Sequence, residues 1–178
     1  MKRVCVYGGS RTGSRPQYRE AARELARELA ARGLGLVNGG GGIGLMGVMA
    51  DEVLAAGGEV AGVIPTFMED RELAHRGLSE LHVVDTMHQR KAKMIELSDA
   101  LVAAPGGVGT LDEFYEAVCW RGLGLHHQPC GLLNVDGYFD SQVNFLARAA
   151  DDGFVDRRVA EEIVVAVTAG ELLDGLGF

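Results

Sequence analysis

The stretch "PGGVGTLDE", residues 105–113, sets three glycines, a threonine and two carboxylates directly behind the apolar run "DALVAA". Gly106, Gly107 and Gly109 let the backbone turn sharply and present bare N–H groups. At a helix start, such unsatisfied donors and the helix dipole both favour an anion. Thr110 adds a hydroxyl. A phosphate cradle with a carboxylate beside it is therefore one reading. The other is architectural, because Thr110 and Glu113 have the spacing of a capping box, in which Glu113 only reaches back to a backbone N–H. From this stretch alone both readings stand.

A second stretch, "DTMHQRKAKM" at residues 85–94, adds positive charge. Thr86 and Gln89 form another capping-box pair, so a helix is expected to begin there. On that helix Met87, Arg90, Lys91 and Met94 share a face. Two cations one turn from a helix N-terminus oppose the dipole, at a cost of a few tenths of a kcal/mol, roughly. The two methionines are either core or an apolar slot beside the charge, and a slot of that kind suits a flat base attached to an anion. On the helix after residue 108, Glu113 and Glu116 share a face, with Asp112 about 100° away. Glu116 read alone is equally a solvated helix residue, and Asp85 equally a cap.

Other candidates carry less. Gly39, Gly41 and Gly44 spell GxGxxG, but in the second strand–helix turn, whereas the dinucleotide fingerprint occupies the first. Glu59 opens a strand instead of closing one, so it is misplaced for a ribose. The spacing GxxxxGK[ST] is absent, which excludes a Walker-type NTPase. His126 and His127 lack partners at ligand spacing, so no metal is expected. Cys5, Cys119 and Cys130 are isolated in apolar contexts and are expected to be buried thiols, not a disulfide framework.

The elements that must position these residues alternate along the chain. "RVCVY", "LGLVN", "EVAGVIP", "LHVV", "ALVAA", "CGLLN" and "EIVVAV" read as strands, most followed by a glycine turn and a helical pattern. The first helix is expected to be capped by Ser14, with Pro16 in its first turn and Gly33 at its end. Repeated strand–helix units imply an α/β fold, a doubly wound, Rossmann-like parallel sheet with helices on both faces. Residues 1–178 are expected to form a single nucleotide-binding domain, since the length suits one substantial core. In such sheets ligands bind beyond the carboxyl ends of the strands. Gly8 to Ser10, Gly39 to Gly44, Asp85 to Lys91 and Pro105 to Glu113 all follow strands, so they should converge on one edge.

Charge limits the partners. The net charge is −8, the reverse of the basic surplus by which proteins bind nucleic acid. A phosphate would be held in a local pocket, not along a polymer. No apolar stretch reaches the roughly 20 residues needed to span a bilayer. The glycine-rich start is unlike a signal peptide, so a cytoplasmic protein without a membrane partner is expected.

Together "PGGVGTLDE" and "MHQRKAKM" resemble the paired signatures of the LONELY GUY (LOG) family, the cytokinin-activating phosphoribohydrolases. "GGGGIGLMG", "PCGLLNVDGYFD" and "GFVDRRVAEEIVVAVTAGELLD" extend the resemblance over almost the whole chain. It implies a Rossmann-like fold, a homodimer with sites near the subunit interface, no cofactor, and hydrolysis of an N6-substituted adenosine 5′-monophosphate to free base and ribose 5-phosphate. It makes Arg90 and Glu113 catalytic and Gly106, Gly107, Gly109, Thr110 and Ser10 phosphate-binding. Met87, Lys91, Met94 and Glu116 match further substrate positions. Gly122, where the family commonly has Gln, and the first-turn wording "GGSRTGS" depart from its pattern near the base and the first turn. Three rival readings remain. One is a lysine decarboxylase with pyridoxal phosphate on Lys91 or Lys93. Another is a nucleotide carrier or sensor without turnover, and the third a glycosidase acting on plain AMP or another nucleoside monophosphate.

Overall fold

The computed structural model describes residues 1–69 and 74–178. Its elements run β1 (Arg3–Tyr7), α1 (Pro16–Ala31), β2 (Gly35–Asn38), α2 (Gly44–Ala55), β3 (Val60–Pro65), β4 (Glu80–Val84) and α3 (Met87–Glu96). They continue with β5 (Ala100–Ala103), α4 (Val108–Gly122), β6 (Cys130–Leu133), α5 (Asp140–Asp151), α6 (Arg157–Glu161), β7 (Val164–Ala166) and α7 (Ala169–Gly175). The strands form one parallel sheet in the order β4-β3-β2-β1-β5-β6-β7.

Strand side chains alternate between two cores, as a period of two requires. Val4 and Val6 of β1 pack on one face, with Leu25, Leu29, Met49 and Leu172 from α1, α2 and α7. Cys5 and Tyr7 pack on the other, with Met94, Phe114 and Leu146 from α3, α4 and α5. Burial on both faces explains why the inner strands read as unbroken apolar runs, whereas the edge strand β4 alternates half-buried and exposed positions.

Chain order reverses between β1 and β5, which are hydrogen-bonded neighbours. Their carboxyl ends therefore open a crevice at the switch point, the place where such sheets bind ligands. Gly9 N–H donates to the Pro105 carbonyl at 3.1 Å, and Leu45 N–H to the Gly9 carbonyl at 2.9 Å, so three glycine turns abut there.

Two local expectations need correction. Ser14 does not cap α1; the N-cap position is Arg15, which makes no side-chain capping bond, and Pro16 fills the first helical position. A proline there presets the backbone and removes one donor that would need a cap. Cys119 is exposed, while Cys5 and Cys130 are buried. Burial pushes the Cys130 thiol up to about 11, so that thiol is un-ionised at neutral pH.

Candidate active site

The glycine turn after β5 resolves the first ambiguity. The capping-box reading requires α4 to begin after Thr110, but the helix begins at Val108, with Gly107 as N-cap and no side-chain cap. Glu113 is thus inside the second turn and is not a cap. Among the described residues, no protein acceptor meets the N–H groups of Gly107, Val108, Gly109 or Thr110. Consecutive open donors at the positive end of a 15-residue helix form a ready anion site. Gly106 is needed for it, because a Cβ there would lie 2.0 Å from Thr110 Oγ1 and 2.9 Å from Gly9 N.

The second capping box forms as expected: Thr86 Oγ1 accepts from Gln89 N–H at 3.2 Å, and Gln89 Oε1 accepts from Thr86 N–H at 3.3 Å. One turn later Arg90 is only 3% exposed. Its Nε donates to the Val63 carbonyl at 3.1 Å and its Nη2 to the Gly39 carbonyl at 3.0 Å. Its Nη1 lies 3.9 Å from Glu113 Oε1, with the sulfurs of Met68 and Met87 at 3.7 and 3.9 Å. A buried cation requires such a set of acceptors, since a bare one is strongly destabilising.

The Gly39–Gly44 run has a structural explanation without a dinucleotide. A Cβ at Gly39 would lie 1.9 Å from Arg90 Nη2, and one at Gly44, whose φ is +66°, would lie 2.2 Å from the Ser10 carbonyl carbon. Gly39→Ala should therefore push the guanidinium out of place. The expected result is a loss of about 10²-fold in kcat, since a displacement near 1 Å has that effect. Steady-state kinetics on the folded variant measures it, and wild-type kcat would contradict the role given to Gly39.

These elements enclose a cleft of about 590 Å³, within the range of small-molecule sites. Ser10, Met87, Arg90, Gly106, Gly107, Gly109, Thr110 and Glu113 line it, so three of the four strand-end motifs meet there, while the Gly39–Gly44 run does not line it and touches it through the Gly39 carbonyl on Arg90. Three expected site residues do not line it. Met94 is fully buried in the core behind α3. Lys91 Nζ is bound by Glu116 at 2.7 Å and Asp112 at 3.2 Å, a clasp between α3 and α4. The carboxylate pairing is thus Asp112 with Glu116, one helical turn apart, while Glu113 goes with Arg90. The sequence reading missed Tyr18, Met46, Met68 and Tyr138, which also line the cleft.

Burial alone would lower the Lys91 pKa, but its hydrogen bonds and attraction to Glu116 and Asp112 outweigh it and leave the pKa raised. A raised folded-state pKa contributes stability that is complete below the unfolded lysine value and is lost as pH rises through the folded one. Lys91→Met is expected to cost roughly 1.5–3 kcal/mol, constant from pH 6 to about pH 9 and shrinking above the ordinary lysine range near 10.4. Urea unfolding of both proteins across pH measures this difference. A penalty that declines between pH 6 and 9 would contradict the clasp.

The lysines also bear on pyridoxal phosphate. Lys91 is held by two carboxylates and Lys93 pairs with Glu96 at 2.8 Å. Neither lines the cleft, so these residues do not fit a Schiff-base site.

The profile of a family described as "Possible lysine decarboxylase" matches residues 46–176. A rice (Oryza sativa subsp. japonica) protein named "Probable cytokinin riboside 5′-monophosphate phosphoribohydrolase LOGL3" is 49% identical over 98% of this chain and 83% of its own. The Arabidopsis thaliana cytokinin riboside 5′-monophosphate phosphoribohydrolase LOG3 is 46% identical over 98% of this chain and 81% of its own. The molybdenum cofactor binding protein of Rippkaea orientalis has the same fold, with a TM-score of 0.74 over 98% of this chain and 94% of its own, at 21% identity. With nearly half of its residues identical to those of the rice and Arabidopsis proteins across nearly its full length, the chain belongs to the LOG family.

Proposed function

We propose that this chain hydrolyses the N-glycosidic bond of an N6-substituted adenosine 5′-monophosphate, releasing the free base and ribose 5-phosphate. One observation carries the reading: a single cleft holds open N–H donors at the α4 N-terminus and the Glu113–Arg90 pair deeper in the same cleft. The 5′-phosphate binds Gly107, Gly109 and Thr110, with Gly106 giving the close approach and Ser10 facing from the first turn. In a chain of net charge −8, such local donors must supply the attraction that the overall field does not.

With the phosphate fixed, the ribose lies over Glu113 and the base reaches the methionine end beside Arg90. Water adds to C1′ while the electron pair of the C1′–N9 bond leaves with the base. Glu113 orients that water, accepts its proton and stabilises the positive charge developing on the sugar, as carboxylates do in glycoside hydrolysis. Arg90 stabilises the negative charge of the departing base, and the base recovers a proton to leave neutral. Met87, with Met46 and Met68, supplies the flat apolar wall. Phosphate binding holds the bond in reach of these groups, which is its catalytic use.

A homodimer, a cytoplasmic location and a single domain over residues 1–178 belong to the same reading, supported by family membership and by one sheet running from β1 to β7. Among the described residues no helix is long and apolar enough to cross a membrane.

Incubation with isopentenyladenosine monophosphate, and separately with AMP, tests the reaction. Equal amounts of free base and ribose 5-phosphate are expected, and the ratio of the two rates reports the preferred base. Saturable binding of both nucleotides without products would replace the hydrolase by a carrier.

A further inference from the structure

The segment "NVDGYFD", residues 134–140, joins β6 to α5 and plays no part in the chemistry above, yet it is heavily fixed. Asn134 Oδ1 accepts from Phe139 N–H at 2.7 Å, and Asn134 Nδ2 donates to Asp140 Oδ1 at 2.8 Å. Asp136 takes a left-handed backbone, φ 53°, alone among the described non-glycine residues. Its carboxylate accepts from Arg15 Nη1 at 2.7 Å and Gln17 Nε2 at 3.2 Å, tying the turn to the start of α1. A non-glycine residue is held in that region only where its surroundings over-determine it.

The result is one aimed side chain. The Tyr138 ring lies edge-on to Tyr18, centroids 5.2 Å apart, and to Phe139 at 5.0 Å. Its hydroxyl donates to the Gly106 carbonyl. Carbonyl and N–H of a trans peptide point in opposite directions, so holding the Gly106 oxygen on Tyr138 also fixes the direction of the Gly107 N–H, and Gly107 lines the cleft. Gly107 has nothing within 4 Å of a would-be Cβ, so packing does not restrain that side of the peptide unit, and glycine's backbone freedom leaves its rotation open.

We infer that Tyr138 is a positioning residue for the phosphate site: its hydroxyl fixes the Gly106–Gly107 peptide so that the Gly107 N–H is already presented to a sugar phosphate. This rests on the proposed phosphate site. It adds that affinity for the anion depends on a hydroxyl outside the glycine turn.

Tyr138→Phe keeps the ring contacts and removes only the hydroxyl. Calorimetric titration of wild type and variant with ribose 5-phosphate is expected to show about tenfold weaker binding in the variant. Steady-state assays should show KM for the nucleoside monophosphate raised by a similar factor, with kcat within about threefold, the pattern of lost ground-state binding. Unchanged ribose 5-phosphate affinity in the variant would overturn the inference. So would equal weakening for ribose 5-phosphate and for phosphate-free adenosine, since the hydroxyl would then touch the sugar directly. A purely structural role would lower Tm without this split between phosphorylated and unphosphorylated ligands. Because the titration needs no turnover, a wild type that binds ribose 5-phosphate but releases no base contradicts the proposed reaction and leaves Tyr138 to be judged on affinity alone.

Discussion

Glu113→Gln is expected to lower kcat by about 10²–10⁴-fold, the usual contribution of a positioned general base, with KM for the monophosphate little changed. The amide keeps the size of the side chain but can neither accept the water's proton nor stabilise a cationic sugar. Two structural facts make this substitution informative. Glu113 is not the N-cap of α4, which begins at Val108 without a side-chain cap. The phosphate donors precede it in the chain, at Gly107 to Thr110, so they survive the change. Folding should therefore be retained, and circular dichroism with a thermal melt checks that. A folded variant with near-native kcat would remove Glu113 from the chemistry.

Arg90→Ala is expected to cost about 10²–10³-fold in kcat, the effect of deleting a preorganised charge-stabilising donor. Unlike Glu113→Gln, it should also weaken the fold. The guanidinium bonds the carbonyls of Val63 and Gly39 and stands 3.9 Å from Glu113, all in a buried setting. Losing charged hydrogen bonds of this kind costs roughly 1.5–3 kcal/mol, which in a chain of this length lowers Tm by about 3–12 °C. Arg90→Lys should restore part of the stability and little of the rate, because one ammonium cannot reproduce the planar fork that meets both carbonyls. Equal rescue of rate and stability by lysine would show that only the charge matters there.

Much of this arrangement is legible in the sequence. The strands are short apolar runs bounded by glycine turns, so "RVCVY" maps onto β1 residue for residue. Because parallel strands send their turns to one edge, four separate motifs could be assigned to that edge, and three of them line the cleft. What was hidden depends on partners distant in sequence. Thr110 and Glu113 imitate a capping box, and only the observed start of α4 removes that reading. Helical spacing puts Lys91 beside Arg90, but whether it faces ligand or carboxylate is decided by Asp112 and Glu116 on another helix. Met94 shares a face with Met87, yet two turns along α3 that face has passed from the cleft into the core. Tyr138 meets Gly106 across 32 positions of sequence, and no spacing rule signals such a contact. His126, adjacent to His127 in sequence, is buried against the Ala117 carbonyl at 2.7 Å, and desolvation lowers its pKa.

In the proposed reaction a phosphate held at the start of α4 brings the glycosidic bond to Glu113. The most direct test is kcat/KM of the purified protein for one base presented as the 5′-monophosphate and as the unphosphorylated riboside. At least about a 10³-fold preference for the monophosphate is expected, since the anion's binding energy is what positions the reacting bond. Specificity constants within tenfold of each other would contradict it.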